Sequence, residues 1–357
     1  MTAGGSNPVR VIHLDLEKGW RAGERQVQLL VRELAERGVA QTVVGRRGRP
    51  LLESVEGLPG VALEGVAGPL TSITPLTSIP PPAVYHAHTG NTVSLAVLSR
   101  RRGTAVVATR RLDLPVSPFW LNQADRVVAV SLDVADALRR SGVRNELIDR
   151  IPSSIDRCRT ADPADRAALR GRLGIGDKTI LGLTIGSLEE QNDPLTLAES
   201  MIRMPDDYRH VWVGDGSLRW EVLRLAERHG SAGRLHLSSH DPEPDRWFAA
   251  ADLLVLPSPR EEPEPLILDA FHFGLPVVAA DVPGTSELLV EGASALLFPP
   301  GDARALADTV RRLLGDPPLA ATLRAGGESV AARHDVRETA SAHLRLYGEL
   351  LGRPART

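Results

Sequence analysis

Short apolar runs alternate with longer amphipathic stretches along most of the chain. VRVIHLDL (9–16), AQTVVGR (40–46), VYHAH (84–88), TAVVATR (104–110) and RVVAVS (126–131) read as strands. Near-continuous apolar runs of this length suit strands covered on both faces. Between them, ERQVQLLVRELAERG (24–38) carries Val27, Leu30, Val31 and Leu34 at helical spacing, with Gly38 placed to end the helix. SLDVADALRRSG (131–142) opens on a capping serine and closes on glycine. A second series follows: TILGLTIGS (179–187), RHVWVGDG (209–216), RLHLSS (234–239), ADLLVLPS (251–258) and LPVVAAD (275–281). Strands alternating with helices predict an α/β protein with parallel, doubly wound sheets. The stretch 153–178, rich in Pro, Gly and charge, reads as the connection between two halves. The predicted domains are 1–160, joined by a returning C-terminal helix in 336–357, and 161–335.

Residues 65–83, GVAGPLTSITPLTSIPPPA, break the pattern; so much Pro, Ser and Thr excludes a regular helix or a central strand. The segment reads equally as a surface excursion or as an acceptor-side loop. Composition adds limits: 357 residues suit two domains, and 42% hydrophobic with 24% charged residues is globular. A net charge of −3 gives no field that would favour nucleic acid, so no nucleic-acid partner is expected. The single Cys158 leaves neither a disulfide framework nor a cysteine cluster for zinc. MTAGGSNP has no apolar region, and no run approaches the ~20 apolar residues of a membrane span. The expectation is a cytoplasmic protein, with peripheral membrane contact left open.

The densest chemical signal is PSPREEPEPLILDAFHFGLPVVAADVPGTSEL, 257–288. A strand ends in an acidic loop, Glu261, Glu262 and Glu264, and a short helix carries Asp269. Seven residues separate Glu261 from Asp269, so one acid sits in the loop and the other about two helical turns along. Acids also favour helix starts in their own right. The stretch resembles the nucleotide-sugar site of family 4 of the retaining glycosyltransferases, in which a Glu, seven residues and a second acid mark the donor pocket. GLPVVAAD and Glu287 follow in the family's order. The resemblance runs from about residue 10 to 350. It implies the GT-B fold, two Rossmann-like doubly wound domains with an interdomain cleft. It also implies a glycosyltransferase: Glu261 on the sugar, Asp269 on the ribose, Glu287 supporting its loop.

Other motifs extend the resemblance. Ala22-Gly23, in KGWRAGERQV, stands where relatives carry a Gly-Gly entry loop, and no dinucleotide fingerprint or P-loop is present. In VYHAHTGNT, His86 reads as a packed strand residue and His88 as the substrate-facing one; two histidines with no third ligand at a plausible spacing argue against a metal. Arg111, after Arg110, stands where many relatives place a histidine beside the transferred sugar, and a guanidinium suits a phosphate or carboxylate. Gly186 opens the second domain's first loop, and Gly214 belongs to a Gly-x-Gly turn along the nucleotide. His240 and Asp241 follow the strand that leads to the base. Glu264, Pro265, Leu266 and Ile267 start the acid-bearing helix, whose amides can face a phosphate.

The chain departs from its relatives at Ser187 and Asn192, where they usually carry Arg and Lys for the diphosphate. Glu189 and Glu190 add the wrong sign nearby. Each missing charge-assisted contact is worth about 1.5–3 kcal/mol. Compensation by Arg21, Arg25, Arg110 or Arg111 is expected. The function implied is transfer of a sugar, with retention and without metal or other cofactor, from a UDP- or GDP-sugar to a glycan, lipid or small-molecule hydroxyl. The leaving phosphate then carries the main catalytic demand. The alternative is a non-catalytic GT-B protein, a nucleotide-sugar sensor or scaffold subunit, and a third reading lets a divalent ion use the surplus carboxylates.

Overall fold

A computed structural model describes residues 9–19, 22–69, 76, 78–111, 117–160, 162–176, 178–239, 241, 244–260, 264–282 and 287–352. Residues up to Asp156, together with those from His334 on, form one compact unit, and Arg157–Arg333 form a second.

The first unit is built on a seven-stranded, all-parallel sheet: β1 Arg10–Leu14, β2 Ala40–Arg46, β3 Val61–Val66, β4 Ala83–Ala87, β5 Thr104–Arg110, β6 Arg126–Ala129 and β7 Ile148–Arg150. Their order is β3-β2-β1-β4-β5-β6-β7. β2 and β5 coincide with the runs read from sequence. β3 and β7, the two edges, were not read as strands. VALEGV alternates half-buried and exposed positions, and IDR has only three residues. The helix Ala22–Glu36 buries Val27, Leu30, Val31 and Leu34, as its period predicts. Ser131 caps the helix Leu132–Arg140 by accepting from the Val134 amide at 3.1 Å. The last helix, Val336–Leu350, belongs to this unit, and Ala340, Leu346 and Tyr347 join Val11, Leu30 and Val84 in one core.

The second unit has six parallel strands: β8 Ile180–Ile185, β9 Tyr208–Val213, β10 Leu235–Ser238, β11 Leu253–Leu256, β12 Val277–Ala280 and β13 Ala295–Phe298. The order β10-β9-β8-β11-β12-β13 repeats the winding of the first unit. Both sheets reverse direction of growth at one point, between β1 and β4 and between β8 and β11. In open α/β sheets, ligands bind outside the carboxyl ends of the strands at such a switch point.

The connecting stretch holds a helix, Pro163–Arg172, which buries Leu169 and, next to it, a charged residue. Arg170 is 1% exposed, and its guanidinium donates to the carbonyls of Ala250 and Gly176 and to Asp252. With Leu169 as the one buried apolar side chain among its described residues, the helix has too small an apolar face to stand out from a linker in the sequence. Among the described residues no helix is long and apolar enough to cross a membrane.

Candidate active site

Strand pairing brings three histidines together at the switch point of the first unit. β1 and β4 align His13 with His86, and His88 follows β4. All three are buried, and each offers a ring nitrogen within 4.8 Å of the others. The sequence reading found no third imidazole beside His86 and His88; pairing across 73 residues of chain supplies it. Burial lowers the His13 pKa to about 3 and takes His86 and His88 well below the ordinary value, so the rings are neutral.

Their hydrogen bonds assign the protons. Gln41 Nε2 donates to the Val31 carbonyl at 3.0 Å, so Gln41 Oε1, 3.0 Å from His13 Nε2, accepts. A neutral imidazole has one N–H and one lone pair. His13 Nδ1 therefore accepts from His88 Nε2 at 2.9 Å, and His88 Nδ1 accepts from Arg111 Nη2 at 3.3 Å. His86 lies between the Tyr347 hydroxyl at 2.7 Å and the Thr109 hydroxyl at 2.6 Å. A divalent ion needs imidazole lone pairs, and those of His13 and His88 are engaged by protons already in place. As arranged, the three rings form a hydrogen-bonded cluster and fit an ion poorly.

Arg111 is fixed at two points, since Nη1 donates to the His88 carbonyl at 3.0 Å. Its Nε is buried and has no acceptor among the described residues. Desolvation lowers the guanidinium pKa, and the carboxylates of Asp15 and Glu24 oppose that shift. Asp15 follows β1; burial raises its carboxyl to about 6 although it accepts from the Glu17 amide at 3.0 Å. Ala22 and Gly23, expected in a loop, form the first turn of the helix Ala22–Glu36, and a Cβ on Gly23 would lie 3.9 Å from Arg111 Cδ. Arg110 Nη1 lies 3.1 Å from the place a Cβ would take on Gly90, at the start of the helix Gly90–Leu98. Arg21 lies outside the described residues.

The second unit shapes its switch point with backbone. Gly214 has φ 151°, and a Cβ there would sit 2.0 Å from the Gly186 carbonyl oxygen. That oxygen accepts from Trp212 Nε1 at 2.8 Å. Asn192 Nδ2 donates to Ser187 O at 2.7 Å and Ser187 Oγ at 3.0 Å, so the two residues that replace the usual cations hold each other. Glu189 is turned to Ser217, accepting from its amide at 2.8 Å and its hydroxyl at 2.7 Å; those hydrogen bonds lower its pKa. Ser258, after β11, donates to the Gln191 carbonyl at 2.9 Å and ties this loop to the neighbouring strand end.

The helix Glu264–His272 starts beyond β11, with Glu264, Pro265 and Leu266 half-buried in its first turn and Ile267 buried. Asp269 is buried, and Arg159 Nη1 donates to its Oδ1 at 2.6 Å. Arg159 also holds Asp245, with Nε 2.7 Å from Oδ2, and lies 5.5 Å from the centroid of the Phe273 ring. Asp241 is bonded to the helix that follows it. Its Oδ2 accepts from Trp247 Nε1 at 2.7 Å and Arg246 Nε at 2.9 Å, which commits it to the helix Asp245–Ala250. Glu287 is half-buried. Glu261 and His240 lie outside the described residues. Sequence reasoning missed His13, Gln41, Asp15 and Arg159; polar residues inside otherwise apolar strands are the signal that marks the first two.

Two doubly wound parallel units, each with polar groups gathered at its switch point, define a GT-B glycosyltransferase. Residues 23–159 match the model of Glycosyltransferase Family 4, and residues 180–316 match that of Glycosyl transferases group 1. The chain belongs to the family 4 glycosyltransferases. A D-inositol 3-phosphate glycosyltransferase of Thermobispora bispora is 29% identical over 383 aligned residues, which cover 92% of this chain and 90% of that protein. Another, from Xylanimonas cellulosilytica, is 30% identical over 246 residues, 65% of this chain and 59% of that protein. Among solved structures, HepE of Anabaena with UDP and glucose superposes with a TM-score of 0.82 at 20% identity, over 94% of this chain and 98% of HepE.

Proposed function

We propose that this glycosyltransferase moves a sugar from a UDP-sugar to an acceptor hydroxyl with retention and without a metal ion. The observation that carries the reading is the second unit's switch point. There the turns after β8 and β9 bring the Gly214 and Gly186 backbones into direct contact, and the helix that starts beyond β11 carries the buried Asp269. Glycine turns at strand ends suit a diphosphate, and a buried acid on a following helix suits a ribose. The UDP and glucose in HepE support the same donor class. In this reading Asp269 holds the ribose, Glu261 the sugar, and Glu287 supports its loop. Arg111, held by His88, supplies positive charge in a family position otherwise given to histidine.

Incubation with UDP- and GDP-sugars, followed by melting temperature and nucleoside diphosphate release, tests the proposal. UDP-sugars should raise the melting temperature by mass action and release UDP in the presence of chelator. Loss of turnover in chelator overturns metal independence, an inverted product overturns retention, and a response to GDP-sugars alone overturns the donor assignment. Binding without turnover on any acceptor favours the non-catalytic reading, which the mutual bonding of Ser187 and Asn192 supports.

A further inference from the structure

We propose that Gln41 and His13 are positioning residues that fix the proton pattern of His88 and thereby the orientation of the Arg111 guanidinium. The inference rests on the proposed role of Arg111 and His88 in the transfer site.

The far end of the chain of bonds is the Val31 carbonyl. The Val31 carbonyl can only accept, so the Gln41 amide has one orientation: Nε2 toward Val31, Oε1 toward His13. His13 must then carry its proton on Nε2, which leaves Nδ1 as acceptor. His88 must answer with Nε2–H, which leaves its Nδ1 lone pair facing Arg111. Each step is forced by the one before it, because a buried neutral ring has one proton to place. Reversing the order would set a His88 N–H against a guanidinium N–H. Gln41, His13 and His88 are 3%, 0% and 4% exposed, so bulk water is not at hand to supply a substitute acceptor. The groups around the chain are the rings of His86 and His343, with Asp15 and Glu24 facing Arg111.

The His88 lone pair and the His88 carbonyl make a two-point acceptor for Arg111 Nη2 and Nη1. Two points set the plane of a guanidinium where one would let it swing. The identity of an amide three strands from Arg111 therefore decides where that cation points.

Nitrogen NMR on the wild-type protein tests the pattern without any substitution. Both His13 and His88 should appear as neutral rings protonated on Nε2; a proton on His88 Nδ1 overturns the proposal. The second arm is Gln41→Met, which keeps side-chain bulk and removes the group that sets direction. With circular dichroism unchanged, His13 and His88 should become tautomer mixtures, kcat should fall about ten- to a hundredfold, and donor KM should stay as in the wild type. An altered His88 tautomer with unchanged kcat overturns the positioning role. Arg111→Gln separates the two ideas. If it leaves transfer intact, the assignment of Arg111 to the site fails, whereas the tautomer measurement tests the relay whatever the activity.

Discussion

The two units share one winding order but hold their switch points by opposite means. The first uses side chains: Gln41, His13, His88 and Arg111 are joined by directional hydrogen bonds, and the buried rings of His86 and His343 lie beside them. The second uses main chain: strands β8 and β9 approach until only glycine fits at Gly214, and Asn192 and Ser187 close the loop above. A side-chain site is sensitive to protonation and tolerant of small steric changes. A main-chain site is the reverse.

The largest expected effect is steric. Gly214→Ala places a methyl 2.0 Å from a carbonyl oxygen at a φ that side chains avoid. Denaturant titration should show a loss of more than about 4 kcal/mol in the second unit. A variant as stable as wild type would remove the claim that backbone approach shapes this end.

Acid should reverse the ranking. His13 and His343, held down to about 3 and about 4 by burial, stay neutral in the fold while the unfolded chain takes up protons below about 6.5. Their contribution is intact above about 6.5 and is lost as pH falls toward the folded values. At pH 5 each costs about 2 kcal/mol. His86 and His88 act in the same direction; the second unit has only His210 fully buried, with the half-buried His236 beside it. Hydrogen exchange read by mass spectrometry between pH 7 and 5 should show protection failing first in the first unit. Equal loss in both, or earlier loss in the second, would break the contrast.

Asp269→Asn tests an ionic exception in the second unit. It leaves Arg159 bound to Asp245 but weakens a buried charge-assisted bond, for a cost of about 1.5–3 kcal/mol. Donor affinity, measured by calorimetry, should fall with it. Stability loss with unchanged donor affinity would leave Asp269 a purely structural anchor.

The smallest effect should come from Gly23→Ala. The added methyl finds Arg111 Cδ at 3.9 Å, ordinary contact, so stability should change by less than about 1 kcal/mol. A large loss would show that the first unit is sterically tight as well.

The same division governs how much could be read from the sequence. Central strands were legible because burial on both faces leaves an unbroken apolar run, as in Ala40–Arg46 and Thr104–Arg110. The edge strands of the first unit escaped, since β3 exposes alternate residues and β7 is only three residues long. The helix Pro163–Arg172 escaped because, among its described residues, it buries one leucine and an arginine satisfied by carbonyls outside the helix. Gly186, Ser187, Asn192 and Gly214 lie close in sequence to the turns they build, so motif spacing found them. The Gln41–His13–His88 chain spans three separate segments, and no local pattern announces such a bond. Asp241 shows the converse: it was noticed as a loop acid, yet its partners Arg246 and Trp247 turn it toward its own helix.

The Tyr347 hydroxyl reaches the ring of His86 in β4, across 261 positions of sequence. During synthesis, everything β4 needs from its own neighbourhood has left the ribosome long before that tyrosine exists. The unit that is begun first is thus completed last, while Arg157–Arg333 can close as soon as it emerges. Translation usually lets amino-terminal domains mature ahead of later ones; the layout of this chain predicts the reverse. A nascent chain arrested before Val336 should carry a protease-resistant second unit and an unfinished first, leaving its open sheet to chaperones until the final helix arrives.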